Sequence, residues 1–323
     1  MNILLSMPND GQTNKYIINA LFDLGHDVFY IDHRMNLEEC KRVVPMFFKY
    51  HKIDLFLVLH LIKGQTYDIN YLRSLKTRFP YIKQAAWFLD GTTKPGVFPY
   101  DDIDFVALAK EYDYFFTVAL GQIEEYKKKG INAQFVPDAF DIYTPKFNFN
   151  FKYDVSFIGQ VGLEEVHPNR LSTICSLIDV FDNFKIYGPV YTQEERILKH
   201  HSLRVTYNEI HHSKVVSQSK INLGIFSWPN IKLGLSARVY RIMGAGGFHL
   251  TTKVDGLEEF FEEDKEIVMY SSIEECIDKI KYYLKYSEER NKIAQRGYEK
   301  VINNYTFHHS LRKLLSFVNK EKI

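Results

Sequence analysis

The sequence predicts an α/β protein built from two similar halves, and three observations carry that prediction. Short apolar runs of about four to seven residues alternate with helical periods along nearly the whole chain. The alternation breaks once, over residues 137–152, and then restarts. The length, 323 residues, also exceeds one ordinary core at roughly 150 residues per domain. Strand–helix alternation on this scale implies parallel sheets with helices on both faces.

In the first half, Ile3–Met7 reads as a strand, and Thr13 opens a helix whose apolar face is Ile17, Ile18, Leu21 and Phe22, closed by Gly25. Val28–Ile31 is the next strand. Asn36–Lys49 has a helical period that Pro45 is expected to kink or end. Leu55–Leu59, Gln84–Phe88, Tyr114–Val118 and Ala133–Val136 read as strands, with helices over Asp68–Phe79 and Gly121–Lys129 and a stop at Gly130. Pro137, Pro145 and the string Lys146–Asn150 then read as a connection.

The second half repeats the pattern. Strands are expected at Asp154–Ile158, Phe184–Tyr187, Arg204–Thr206, Ile221–Phe226, Gly247–Thr251 and Glu266–Tyr270. Helices are expected near Arg170–Val180, Ile210–Ser219, Ser236–Ala245, Leu257–Phe261, Ile273–Tyr286 and Glu288–Asn303. A last helix starts at Phe307, with Leu311, Leu314, Leu315 and Val318 on one face. The division is therefore 1–145 and 146–323.

Composition narrows the function. An apolar content of 46% with 25% charged residues excludes a disordered or low-complexity chain. Lys+Arg 41 against Asp+Glu 40 leaves a net charge of +1, without the basic excess of a dedicated nucleic-acid binder. Cys40, Cys175 and Cys276 form no CxxC pair, which argues against a disulfide framework and a thiolate zinc site and fits a reducing cytoplasm. No signal peptide is expected, because Met1–Ser6 lacks a basic lead and a long apolar stretch. No run is long and apolar enough to suggest a membrane span.

In an open parallel sheet, ligands bind at the carboxyl ends of the strands, at the switch point of the strand order. The residues placed there carry the candidate chemistry. Ser156–Gly162 runs a strand into a glycine loop, where Gly159 and Gly162 would let backbone N–H groups approach a diphosphate or would simply make a tight turn. Ser236 is a candidate N-cap, which puts Arg238 in a first helical turn. A cation there opposes the helix dipole, and an anionic ligand at the same end would account for it; an arginine snorkelling into solvent would too. Lys232 can add positive charge or be an ordinary surface lysine. At strand ends of the first half stand Asp90, His60 and Asp10, each a possible base or a structural residue. His200-His201 and His211-His212 lack a carboxylate–histidine motif, so no metal is expected. Lys127–Lys129 sits where a helix C-terminus favours cations.

Several of these stretches resemble the C-terminal domain of GT-B glycosyltransferases, and most of all the group related to the spore-maturation protein CgeB. The similarity lies in Arg238-Val239-Tyr240 through Gly246-Gly247-Phe248, in Gly256–Phe261, in Lys265–Tyr270, and in the ending Tyr282-Tyr283-Leu284, Glu289-Arg290, Gly297 and Tyr305-Thr306-Phe307. Tyr153–Gly159, Tyr187-Gly188-Pro189, Lys220–Leu223, and Pro137, Ala139 and Asp141 also match its landmarks. The resemblance covers about residues 137–310 and is much weaker before them. It implies two Rossmann-like domains facing across a cleft, an N-terminal acceptor domain and a C-terminal donor domain, with the helix from about 307 crossing back. It also implies metal-independent transfer of a sugar, hexosyl or pentosyl, from a nucleotide-sugar donor to an acceptor hydroxyl on a glycan, protein, small molecule or modified DNA base. The donor would be held by Gly159, Gly162, Tyr187, Gly188, Lys232, Ser236, Arg238 and Glu258, with Arg238 facing the departing diphosphate and Asp90 or His60 serving the acceptor. Arg241 stands where many GT-B enzymes carry a ribose-binding glutamate. That departure leaves open a binding module without activity.

Overall fold

The computed structural model describes residues 1–9, 13–34, 36–59, 66–89, 105–164, 167–202, 209–226 and 232–319. They form two compact units: Met1–Asp138 with Phe307–Ile323, and Ala139–Thr306.

The first unit is one parallel six-stranded sheet. Along the chain come β1 (Asn2–Ser6), α1 (Thr13–Asp23), β2 (Asp27–Ile31), α2 (Leu37–Tyr50), β3 (Leu55–Leu59) and α3 (Ile69–Arg78). There follow β4 (Lys83–Phe88), α4 (Phe105–Lys110), β5 (Tyr114–Thr117), a 3-10 turn (Leu120–Gln122), α5 (Ile123–Lys128) and β6 (Ala133–Phe135). The strand order is β2-β1-β3-β4-β5-β6. The middle strand β3 is buried at every position, as a parallel strand covered on both faces must be.

Two features of this unit differ from the sequence expectation. Helix α4 was not signalled. Pro45 neither ends nor splits α2, which Asn36 caps by accepting from the Glu39 N–H. A proline within a helix leaves the carbonyl four residues back without its helical partner. Here that carbonyl is Lys41 O, and the Tyr71 hydroxyl on α3 donates to it at 2.9 Å.

The second unit is also a parallel six-stranded sheet. It contains β7 (Tyr153–Ile158), α6 (Arg170–Ile178), β8 (Phe184–Tyr187), α7 (Glu195–His200), β9 (His201–Ser202), α8 (Glu209–Ser217) and β10 (Ser219–Gly224). Next are α9 (Arg238–Gly244), β11 (His249–Thr252), a 3-10 turn (Leu257–Glu259), β12 (Val268–Tyr270), α10 (Ile273–Lys285) and α11 (Ser287–Asn304). Its order is β12-β11-β10-β7-β8-β9. The strand expected over 204–206 lies outside the described residues, and the edge strand found is β9. Helix α7 was not foreseen.

The two units divide at Asp138, where the sequence pattern put the boundary at 145. Phe140 supplies the reason. Its N–H donates to Tyr305 O at 2.9 Å, it bridges to Thr306, and its ring fills the space over Gly244. A Cβ on Gly244 would meet that ring at 2.3 Å, so glycine is needed for the contact. What reads as a linker is thus packed into the second unit from its first residues.

The last helix, α12 (Phe307–Asn319), belongs to the first unit. Its buried face is Phe307, Leu311, Leu314, Leu315 and Val318. Phe307 meets Trp87 edge-on at 6.5 Å, the Ser310 hydroxyl donates to Pro137 O at 2.9 Å, and His308 pairs with Asp23 at 2.8 Å. Burying large apolar side chains contributes roughly 1.5–3 kcal/mol each, against about 0–1 kcal/mol for an exposed ion pair. The apolar face, rather than the His308–Asp23 contact, therefore holds the helix. No helix among the described residues is long and apolar enough to cross a membrane.

Candidate nucleotide-binding site

In the second sheet the chain leaves β7 for β8 on one side and returns to β10 on the other. The strand order thus reverses between β7 and β10, and a ligand crevice is expected outside their carboxyl ends. After β7 comes the loop Gly159-Gln160-Val161-Gly162; after β10 come Ile225 and Phe226.

Two arginines meet at this edge. Arg170, the first residue of α6, is only 5% exposed. Its Nη1 donates to Gln160 O at 3.0 Å and its Nη2 to Ile225 O at 3.2 Å, so one guanidinium ties both sides of the switch point. Its Nε is buried without a partner. Arg238, the first residue of α9, is partly buried and donates from Nε to Ile158 O at 3.0 Å. Both guanidiniums sit by the Phe157 ring, at 5.5 and 5.1 Å, within the range of cation–π attraction.

The acceptors these cations find are backbone carbonyls. Burial, and then the charge of Arg238, brings Arg170 down to about 9. Burial, and then Arg241, brings Arg238 down to about 10. Both remain cationic at neutral pH. His167 feels the same field: burial first, then Arg170 and Arg238, push it to about 4, so it is neutral there. Glu164, which accepts from the Asn169 and Leu171 N–H groups, offsets only part of the cost of burying Arg170, and an anion in the crevice would offset more.

The backbone leaves little slack around the loop. The Gly159 N–H donates to Tyr187 O at 2.8 Å. Gly188 has φ +122°, and a Cβ there would lie 2.6 Å from Gly159 O, backbone against backbone. A Cβ on Gly159 itself would lie 2.7 Å from Nη2 of Arg238. The sequence candidates Gly159, Tyr187, Gly188 and Arg238 therefore meet at one place, with Gly162 in the same loop. The ring Nε2–H of His201 donates to Gly188 O at 2.6 Å, so this histidine braces the loop.

Other candidates stand elsewhere. Ser236 is exposed and does not cap α9; Ala237, in a helical conformation, takes that position with no side-chain bond. Lys232 reaches Glu259 at 2.6 Å, and its stem lies over Gly256. Glu258 is exposed in the neighbouring 3-10 turn. No contact found for Lys232 or Glu258 joins either to the arginine pair. Asp90, His60 and Asp10 lie outside the described residues. Among the described residues, no group of three or more His, Cys, Asp or Glu side chains is placed to hold a metal ion. The three cysteines are free thiols.

Sequence reasoning missed Arg170 and His167. The signal for Arg170 was the one used for Arg238, a cation in the first turn of a helix that follows a strand of the sheet. Its partner carbonyl on Ile225 is 55 residues away, which no local pattern reveals.

Residues 169–316 match the family model described as glycosyl transferase-like. No curated protein matches the sequence. Among solved structures, sucrose-phosphate synthase from Thermosynechococcus elongatus aligns with a TM-score of 0.71 at 11% identity, over 99% of this chain and 98% of that one. HepE from Anabaena in complex with UDP-glucose aligns with a TM-score of 0.67 at 10% identity, over 99% and 100% of the two chains. HepE in complex with UDP gives 0.64 at 10% identity, over the same shares. At such identity the similarity speaks for the fold: this chain has the two parallel sheets of GT-B glycosyltransferase structures.

Proposed function

We propose that this protein is a glycosyltransferase whose nucleotide-sugar donor lies at the β7/β10 switch point with its diphosphate against Arg170 and Arg238. The observation that carries the reading is the pair of guanidiniums, buried or partly buried and hydrogen-bonded to backbone carbonyls, at the edge where the strand order reverses.

The chemistry asks for this arrangement. As the anomeric C–O bond breaks, negative charge grows on the departing diphosphate and positive charge on the sugar. Cations already in place stabilise that charge without reorganisation. Arg170, fixed by two carbonyls, is preorganised; Arg238 is held by one and keeps donors free for a phosphate. Side-chain charge does the work here that a divalent metal does in other transferases, so transfer is metal-independent. The acceptor hydroxyl needs a base or a positioning group, and Asp90 or His60 serves that role. The reading also places the protein in the cytoplasm, where its thiols stay reduced.

UDP-glucose is the first donor to test, because HepE structures contain UDP and UDP-glucose. The experiment is a thermal-shift panel of nucleotide sugars followed by release of nucleotide with and without EDTA. A ligand bound only by the folded state raises the melting temperature. One donor is expected to do so and to be turned over slowly in EDTA. Binding without any turnover would instead favour a module without activity, the alternative that Arg241 at the usual glutamate position suggests. No shift with any nucleotide would overturn both.

A further inference from the structure

The loop that follows β7 carries a carboxylate into the cationic edge. Glu164 stands two residues after Gly162, which has φ +89°. Its Oε2 accepts from the Asn169 N–H at 3.1 Å and its Oε1 from the Leu171 N–H at 3.2 Å. One carboxylate therefore spans the N-terminus of α6 on either side of Arg170. Asn169, of a type that commonly caps helices, makes no side-chain cap bond and has φ +64°. The capping role has passed to a side chain from the end of the glycine loop.

A carboxylate in this place has two opposite effects. An anion is favourable at a helix N-terminus, where the backbone N–H groups point at it. It also supports the buried guanidinium: burial and the Arg238 charge work against the Arg170 cation, and Glu164 works for it. The same carboxylate repels any second anion brought to that edge. Helix α6 does not depend on it, because Ile174, Leu177 and Ile178 are buried and Arg170 keeps both of its carbonyl acceptors. Glu164 is exposed to solvent, so its side chain can turn outward without leaving a cavity.

We propose that Glu164 is an internal counter-anion: it serves the cationic edge when no ligand is bound and competes with a diphosphate for that edge, so that donor binding is weakened and the departing nucleoside diphosphate leaves faster. The proposal rests on the transferase reading above for the identity of the diphosphate, but the competition itself is tested with pyrophosphate.

The test titrates the full chain calorimetrically with pyrophosphate and, separately, with UDP, for the wild type, Glu164→Gln and Glu164→Ala. Glu164→Gln keeps the size and one acceptor oxygen and removes the charge. Both variants are expected to bind both ligands about three- to tenfold more tightly at low salt, with the gain shrinking at about 0.5 M NaCl as the charges are screened. Release of UDP, followed by stopped flow, should slow by a similar factor. Without ligand the variants should melt below the wild type, and pyrophosphate should close that gap. Affinities equal to or below wild type in the variants would overturn the proposal, because a carboxylate that only caps α6 or positions Arg170 gives no gain in ligand affinity when it is removed. Tighter pyrophosphate binding in the variants, with no UDP binding by any of the three proteins, would uphold the competition and count against the nucleotide reading. No pyrophosphate binding by any of them would overturn the competition whatever UDP does.

Discussion

The two sheets share a design and differ in the described side chains at their switch points. Both are parallel, six-stranded and reversed in order beside the first strand of the unit. The edge of β7 and β10 gathers two arginines whose acceptors are carbonyls, and burial, helped by their charge, keeps His167 neutral. The edge of β1 and β3 gathers a serine, a histidine and a tyrosine in one hydrogen-bonded chain. The same backbone therefore supports two chemistries, because strand topology supplies only the location and the side chains at the ends supply the preference. The difference teaches that side chains, not strand topology, set what each edge can offer a ligand.

The largest effects should come from removing the cations. Arg238→Ala is expected to lower transfer by at least roughly tenfold and up to about 10²-fold, the scale for losing one preorganised donor to a developing anion. Arg170→Ala should lower UDP affinity comparably, and also lower stability, because it unties Gln160 from Ile225. Calorimetry with UDP and a melting curve separate the two effects. UDP affinity unchanged in both variants would erase the contrast between the edges.

Next come the glycines that hold the loop open. Gly188→Ala combines a left-handed φ with a 2.6 Å approach to Gly159 O, and should cost about 1–3 kcal/mol of stability. Gly159→Val drives a side chain into Nη2 of Arg238 and the edge of Phe157. It should weaken UDP binding more than it lowers the melting temperature. Equal donor affinity in Gly159→Val would reduce this loop to a turn.

Acid should strain the second unit through a smaller, graded effect. His249 donates from Nδ1 to Asn222 O, its Nε2 is buried without a partner, and burial brings it down from 6.5 to about 3. Below its ordinary value the unfolded chain takes up a proton that the folded chain refuses. More protons on the unfolded state mean that stability falls as pH falls, here from about 6.5 towards about 3. His249→Gln should flatten that slope in melting temperatures taken across the range. An unchanged slope would assign the acid sensitivity to other groups.

The smallest expected effect belongs to the first unit. Tyr71→Phe removes the donor to Lys41 O opposite Pro45 and should cost about 0.5–1.5 kcal/mol, the usual net worth of one hydrogen bond. Denaturant titration can read it, with UDP affinity untouched.

Much of this was legible in one dimension. The strand positions follow from apolar runs, and Leu55–Leu59 is found where its five consecutive apolar residues put it. Gly25 and Gly130, both with positive φ, end helices as expected. Four of the donor-side candidates, Gly159, Tyr187, Gly188 and Arg238, stand together because each flanks a strand end, a feature that local pattern marks. Ser236 misled because its residue type suits a cap, while the turn around Ala237 starts the helix without one. Lys232 pairs with Glu259, a partner 27 residues on that no local pattern announces.

The sequence by itself determined the alternation, the α/β class, the amphipathic face of α12 and the glycines at the loops, since all of these depend on periods of two or 3.6 residues and on backbone freedom at single positions. Only the tertiary structure decided which distant groups meet. Arg170 finds Ile225, Ser6 finds both His33 and Tyr67, and Phe140 draws the supposed linker into the second unit against Gly244. Those meetings are set by crossovers that bring non-consecutive strands side by side. Local pattern carries no record of them, because the free energy that selects the crossovers comes from burying whole faces rather than from any one segment.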